Sequence, residues 1–168
     1  MKKTLIIIDM QPEVVASRDP DTIENVKKLV VKANETSSPI IVVEYKARSG
    51  FFGDPKVYKT EASIMRLVEE NPNYIIVTKN RDDGSQYIIN GAQNDNIDLT
   101  NCVVCGVNTG CCVSDTVTGL SDMLPNSSIE IVASACNHYS SFDNEDGRLV
   151  TQREVSLLSQ NLRNVVAA

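Results

Sequence analysis

The stretch Cys102-Val-Val-Cys-Gly-Val-Asn-Thr-Gly-Cys-Cys-Val-Ser-Asp-Thr116 combines a short apolar run, a turn rich in glycine and asparagine, and a helical segment. The run from Cys102 to Cys105 predicts a buried strand, and the helix is predicted to begin near Cys111 and to end near Met123. Unpaired N–H groups at the start of a helix favour negative charge, and such surroundings lower the pKa of a thiol. The stretch therefore predicts a thiolate near neutral pH, placed where a helix follows a strand.

Apolar runs and helical periods alternate along the rest of the chain. Strands are predicted at Leu5 to Ile8, Ile40 to Val43, Tyr74 to Val77 and Ile129 to Val132. Helices are predicted at Ile23 to Asn34, Thr60 to Glu70 with Thr60 as N-cap, Ser85 to Ala92 and Asn144 to Asn164. This alternation predicts an α/β fold, a doubly wound parallel sheet flanked by helices, as a single domain over residues 1–168.

Three reactive side chains follow three different predicted strands. Asp9 comes directly after the first strand, Lys79 after the third, and Cys112 after the fourth. The carboxyl ends of parallel strands share one edge of the sheet, and ligands bind beyond that edge near the point where the strand order reverses. Alone, Asp9 would be a turn residue and Lys79 a solvated lysine. Their joint placement with Cys112 predicts a catalytic site.

The composition limits the possible partners and compartments. A net charge of −6 and dispersed basic residues argue against a nucleic-acid partner. Four of the five cysteines fall between positions 102 and 112, which is a poor disulfide framework and suits a reducing compartment. The first apolar run is broken by Asp9, and no segment is long enough to span a membrane. We therefore expect a cytoplasmic protein without a membrane partner.

Three motifs together resemble the isochorismatase-like cysteine hydrolases. They are Ile-Ile-Asp9-Met-Gln11 after the first strand, Lys79 after the third, and Gly106-Val-Asn-Thr109-Gly-Cys-Cys112-Val113, which is similar to the family signature Gly-x-x-Thr-x-x-Cys-Val. The resemblance covers nearly the whole chain. It implies a three-layer α/β/α fold with a six-stranded parallel sheet, and it implies a homo-oligomer.

The resemblance also implies a role for each of these residues. Cys112 would attack the carbonyl carbon of a small amide or carbamoyl group and form a thioester. Asp9 would take the thiol proton and later give it to the leaving group, and Lys79 would favour the charged forms of both. Backbone N–H groups of Asn108 and Cys112 would form the oxyanion hole, in a turn shaped by a cis peptide between Val107 and Asn108.

The chain departs from the family in ways that bear on metal and substrate. Members that hydrolyse nicotinamide place Asp and His metal ligands after the second strand, where this chain has Glu44-Tyr45-Lys46-Ala47-Arg48 and no histidine. The resemblance therefore implies a metal-independent enzyme with no cofactor and with a small amide-like substrate. Gly110 replaces the usual acidic residue of the signature. Candidate substrate-binding residues are Gln11, Tyr45 and Tyr87, and further candidates for the pocket wall are Lys46, Arg48, Phe51, Phe52 and Arg81.

Several alternatives remain open from the sequence. A cleft-facing Lys46 or Arg48 would predict an acidic substrate. The sole histidine, His138, follows the fifth strand and could line the edge of the site, although a structural or exposed role is also typical. Asp82, Asp83 and Asp146 are interpreted as solvated turn charges.

The cysteines and the chemistry also leave alternatives. Cys102 and Cys105 point to opposite faces of a strand, which argues against a zinc site and favours burial. Cys111 is predicted to pack inward while Cys112 faces the cleft. Two other functions fit the same fold: hydrolysis of a vinyl ether, with Asp9 as the acid, and a non-catalytic module that binds a ligand or a protein.

Overall fold

A computed structural model describes residues 2–46, 58–139 and 145–168. Its six strands form one parallel sheet in the order β3-β2-β1-β4-β5-β6. The strands are β1 (Thr4–Ile8), β2 (Ile40–Tyr45), β3 (Tyr74–Lys79), β4 (Asn101–Gly106), β5 (Ser128–Cys136) and β6 (Val165–Ala167). The helices are α1 (Pro20–Glu35), α2 (Ala62–Val68), α3 (Ser85–Asn94), α4 (Ser114–Met123) and α5 (Gly147–Asn161). The predicted α/β/α fold and six-stranded parallel sheet are confirmed.

Burial explains why the central strands are continuous apolar runs. Every residue of β1 is buried, and so are the first five residues of β2, because helices cover both faces of the sheet. Helix α1 packs on α2, whereas α3 contacts α4 and α4 contacts α5. Since parallel crossovers are right-handed, the reversal of strand order places these two groups of helices on opposite faces.

Some boundaries differ from the sequence-based predictions for local reasons. Helix α2 begins after Glu61, whose carboxylate accepts from the N–H groups of Ser63 and Ile64, so Thr60 is not its N-cap. Thr60 is buried instead, and both its N–H and its hydroxyl donate to Glu44 Oε1. Strand β5 continues to Cys136, beyond the apolar run that marks its first half. Strand β6, three residues long, lies just beyond the segment predicted as helix, where the sequence predicts no strand.

The strand order reverses between β1 and β4, which lie side by side at the centre of the sheet. The chain leaves β1 towards β2 and leaves β4 towards β5, so a crevice opens between the two carboxyl ends. Gly106 ends β4 with a φ of 122°, and its Cα lies opposite Ile8 in the strand register. Within the described ranges, no helix has the length and apolar content needed to cross a membrane.

Candidate active site

Asp9 is the first residue after β1 and adopts a φ of 51°, a left-handed conformation in which aspartate is enriched. Its backbone N–H donates to Val43 O at 3.0 Å, which ties the turn to β2. The turn aims the carboxylate into the crevice, where the residue is only 2% exposed. The structure therefore places a carboxylate at the crevice between β1 and β4, as predicted.

Lys79 is the last residue of β3 and is completely buried. Its Nζ lies 2.8 Å from Asp9 Oδ2 and donates to Arg81 O at 3.2 Å and to Asp82 O at 2.9 Å. An ammonium has three protons to donate, so these acceptors use its full capacity. The ring of Tyr45 adds a cation–π contact, 5.4 Å from Nζ to its centre. A buried lysine so well paired is a positive charge fixed beside Asp9.

Cys112 lies in a π-helical turn, Thr109–Val113, that joins β4 to α4. A cis peptide between Val107 and Asn108 directly precedes the turn, as the resemblance implies. Thr109 anchors it, because the Thr109 N–H and hydroxyl both donate to Asn137 O and the hydroxyl also bonds Thr151 Oγ1. Cys112 is half-buried and lines the same cleft as Asp9, with its Sγ 3.8 Å from Asp82 Oδ1.

The same turn offers the backbone donors of the predicted oxyanion hole. The N–H groups of Thr109, Cys111 and Val113 donate to backbone carbonyls, and that of Gly110 donates to His138 Nδ1 at 3.3 Å. In the described part of the chain, neither the Asn108 N–H nor the Cys112 N–H bonds a group outside the turn. Those two donors are therefore suited to bind a developing oxyanion beside Cys112 Sγ.

The electrostatics of the site correct one prediction made from the sequence. Burial raises the pKa of the Cys112 thiol, the negative charge of Asp9 raises it further, and Lys79 opposes both. A resting thiolate near neutral pH, predicted from the start of a helix, is therefore wrong for this structure. Removal from water and a neighbouring carboxylate set the direction of the pKa shift. These surroundings favour the thiol of Cys112 over the thiolate.

Asp9 and Lys79 are a coupled buried pair. Burial raises the pKa of Asp9 above its ordinary 3.8, while the charge of Lys79 and its hydrogen bond lower it. Burial lowers the pKa of Lys79, but the negative charge of Asp9 and its hydrogen bond to Lys79 oppose this, and the pKa is raised above 10.5. Among the described residues, Asp9 Oδ1 is buried without a hydrogen-bond partner. A carboxylate oxygen left unpaired next to a thiol is a ready proton acceptor.

The cleft above these groups has a volume of about 480 Å³. The described residues that line it are Asp9, Gln11, Glu13, Val14, Arg18, Tyr45, Tyr58, Asp82, Asn108 and Cys112. A volume of this size suits a small molecule. The cleft therefore brings the predicted nucleophile, base and oxyanion turn to one place.

The predicted substrate-binding residues have different surroundings. Gln11 lines the cleft, but its side chain accepts from Tyr45 N–H and donates to Tyr45 O and Tyr58 O. It therefore joins the end of β2 to the segment at Tyr58. Tyr45 lines the cleft as well. Tyr87 is not among the described lining residues, and its hydroxyl donates to Asn80 Oδ1 at 2.8 Å.

The remaining pocket candidates fall into two groups. Lys46 and Arg81 are exposed and are not among the described lining residues. Arg48, Phe51 and Phe52 lie outside the described residues. Among the described lining residues, the basic side chain is that of Arg18 and not that of Lys46 or Arg81.

Sequence reasoning missed Asp82 and placed Cys111 wrongly. Asp82 was interpreted as a solvated turn charge; it is exposed, but its carboxylate borders the cleft beside Cys112. Cys111, predicted to pack inward, is exposed, because the π-helical turn directs the inward positions to Thr109 and Val113. The glycine at position 110 allows the ring of His138 to approach closely, because a Cβ there would lie 3.1 Å from that ring. The Gly110 N–H donates to His138 Nδ1.

Metal ligands do not converge in the described part of the chain. Among those residues, no group of three or more His, Cys, Asp or Glu side chains could hold a metal ion. The described residues at the end of β2 are Tyr45 and Lys46, a phenol and an exposed cation.

The sequence matches the family model described as an isochorismatase domain over residues 3–145. No curated protein sequence matches the chain. The fold is similar to an isochorismatase from Pseudomonas putida (19% identity, TM-score 0.74, 99% of this chain and 87% of that chain). It is also similar to a nicotinamidase from Staphylococcus aureus (13% identity, TM-score 0.75, 99% of this chain and 97% of that chain). A third similar structure is N-carbamoylsarcosine amidase from Thermoplasma acidophilum (14% identity, TM-score 0.68, 99% of this chain and 95% of that chain). At these low sequence identities, the structural similarity shows a shared fold alone. The family model covers most of the chain and shows that this protein belongs to the isochorismatase family of hydrolases.

Proposed function

We propose that the protein is a cysteine amidohydrolase that cleaves a small amide or carbamoyl C–N bond through a thioester. The observation that carries the proposal is Asp9 Oδ1, which is buried beside the Cys112 thiol without a hydrogen-bond partner among the described residues, while Asp9 Oδ2 forms an ion pair with Lys79. A ligand-binding module has no need of a buried proton acceptor at a cysteine. Two relatives of the same fold, a nicotinamidase and an N-carbamoylsarcosine amidase, support the choice of a C–N bond.

The first half-reaction transfers the acyl group to the enzyme. Asp9 takes the thiol proton as Cys112 Sγ attacks the carbonyl carbon, so the thiolate forms only when substrate is present. The oxyanion is bound by the N–H groups of Asn108 and Cys112. When the tetrahedral intermediate collapses, Asp9 gives its proton to the leaving nitrogen, ammonia or an amine departs, and a thioester remains.

The second half-reaction uses the same groups in reverse. Asp9, again a carboxylate, takes a proton from water, and the resulting hydroxide attacks the thioester carbon. Collapse releases the acid and expels the Cys112 thiolate, which recovers the proton from Asp9. Lys79 stays protonated throughout, because the charge of Asp9 raises its pKa. Its positive charge keeps the buried Asp9 carboxyl ionised, so that Asp9 can accept a proton.

Acid quenching during turnover tests the thioester directly. The protein is mixed with acetamide, nicotinamide or N-carbamoylsarcosine, quenched, and analysed by intact mass and by ammonia release. We expect ammonia and an added acyl mass that is lost on treatment with hydroxylamine and absent in Cys112→Ala. Cleavage of isochorismate without any covalent adduct would instead favour vinyl-ether hydrolysis, and binding without turnover of any compound would favour the binding module.

The pH dependence of kcat/KM should report Asp9. Because burial raises the pKa of Asp9 above 3.8, the active carboxylate is lost as the pH falls through a value higher than that of an ordinary aspartate. In Lys79→Met, nothing on residue 79 opposes the effect of burial on the pKa of Asp9. The acid limb of the kcat/KM profile, where activity is lost as the pH falls, should therefore move to still higher pH, and the maximum of kcat/KM should be much lower. Lys27→Met, which removes a surface lysine paired with Glu24, should leave the limb in place. A wild-type limb at or below pH 3.8 would contradict the assignment.

A further inference from the structure

Asp82 stands at the edge of the active site in a position that its backbone fixes. Its carbonyl oxygen accepts from Lys79 Nζ at 2.9 Å and from Thr116 Oγ1 at 3.4 Å. The Thr116 hydroxyl in turn accepts from Gly84 N–H at 2.9 Å. The ammonium that pairs with Asp9 therefore also holds residue 82, and it carries the Asp82 side chain to within 3.8 Å of Cys112 Sγ.

The charges around the cleft point the same way. Asp9 is neutralised by Lys79, and the other charged residues on the described wall are Glu13, Asp82 and Arg18. Arg18 keeps its positive charge, because its Nε donates to a neutral acceptor, Pro12 O, at 2.6 Å. The described wall therefore carries one more negative charge than positive, and Asp82 is the negative group that contacts the nucleophile.

Geometry ties Asp82 to one part of the substrate. A carbonyl carbon poised for attack lies about 3–3.5 Å from Sγ, and Asp82 Oδ1 is 3.8 Å from the same atom. The substituent next to the scissile carbonyl is then within reach of the Asp82 carboxylate. An ammonium there would form a charge-assisted hydrogen bond, and a carboxylate there would be repelled.

Resting on the proposed role of Cys112 as nucleophile, we propose that Asp82 is a specificity-determining residue that selects small amides with a cationic group next to the scissile carbonyl and rejects anionic ones. Asp82 acts on substrate binding, whereas Asp9 carries the proton transfer. This selection is opposite to the acidic substrate that a cleft-facing Lys46 or Arg48 would favour.

Charged thiol reagents test this selection without knowledge of the natural substrate. Methanethiosulfonates with a cationic aminoethyl, a neutral methyl or an anionic sulfonatoethyl group are reacted with Cys112 in a Cys111→Ser background, since Cys111 is also exposed. Rates are followed by intact mass and divided by the rates with free cysteine. We expect the cation-to-anion ratio to exceed that of free cysteine by about tenfold, a typical effect of a hydrogen bond to a charged group.

Two variants make the test specific to Asp82. Asp82→Asn should bring the ratio close to that of free cysteine. Asp83→Asn removes the same charge one residue away, outside the described cleft wall, and keeps an oxygen to accept from Ser85 N–H; it should retain the wild-type ratio. An unchanged ratio in Asp82→Asn, or a wild-type preference for the anionic reagent, would overturn the proposal.

A matched series of amides separates this proposal from the proposed function. Glycinamide, propionamide and malonamate present a cation, a neutral group and an anion at the same distance from the amide. Wild type should prefer glycinamide over propionamide by about tenfold through KM, and Asp82→Asn should bring the two KM values together. Equal hydrolysis of all three would overturn the role of Asp82 and leave the hydrolase intact. No hydrolysis of any, with the reagent ratio still dependent on Asp82, would count against the amidase alone.

Discussion

Cys112→Ser should lower kcat/KM for the best amide by about 10⁴-fold or more, the scale seen when the nucleophile of a catalytic group is removed. The hydroxyl of serine is far less acidic than a thiol, and Asp9 is a weak base even with its pKa raised by burial. A carboxylate that can accept a thiol proton during attack therefore cannot do the same for an alcohol. The measurement is ammonia release with circular dichroism as a check on folding.

Cys111→Ser is the matched control for this variant. It makes the same atomic change at the neighbouring position, but the Cys111 side chain is exposed and is not among the described residues of the cleft wall. We expect it to keep kcat/KM within about threefold of wild type, as is usual for surface substitutions. If Cys112→Ser retained a tenth or more of the activity, attack by the Cys112 thiol would be excluded as the route of amide cleavage, and direct activation of water by Asp9 would take its place.

Sequence patterns predict the parts of the fold in which burial of apolar side chains dominates. Strands β1 and β2 lie between two helical layers, so their positions appear as unbroken apolar runs. Once those strands are parallel, the edge shared by Asp9, Lys79 and Cys112 follows from topology alone. Strand β6 was missed because three residues, two of them exposed, leave no periodic pattern.

The details of the site depend on tertiary contacts that no local pattern encodes. The π-helical turn is set by bonds from Thr109 to Asn137 and Thr151, which are 28 and 42 residues away. The position of Asp82 depends on Lys79 reaching back to its carbonyl. The direction of the Cys112 pKa shift depends on burial and on Asp9, neither of which is visible in a cysteine near the start of a helix. The local sequence offers one hint that Asp82 lies near the site, which is its position three residues after Lys79 in the loop whose carbonyls accept from that lysine.

Gly106→Ala should lower the free energy of unfolding by about 4 kcal/mol or more, the range in which a single substitution is exceptional. Two costs combine. The φ of 122° at this position is one that L side chains rarely adopt, and a Cβ there would lie 2.1 Å from Ile8 O and 2.7 Å from Ile8 N. Those atoms belong to the backbone of β1, which cannot rotate away as a side chain can. Urea unfolding followed by circular dichroism measures the loss.

Gly110→Ala is the control, because its added methyl group would meet the side chain of His138 and no backbone; we expect a change within about 1 kcal/mol. Gly106→Ala should also inactivate whatever fraction folds. Ile8 O accepts from Val107 N–H at 3.0 Å, and Ile8 is followed at once by Asp9. Pushing β1 away from β4 therefore separates the base from the turn that carries Cys112. A Gly106→Ala protein as stable and active as wild type would show that this close approach of β1 and β4 is not what positions the two groups.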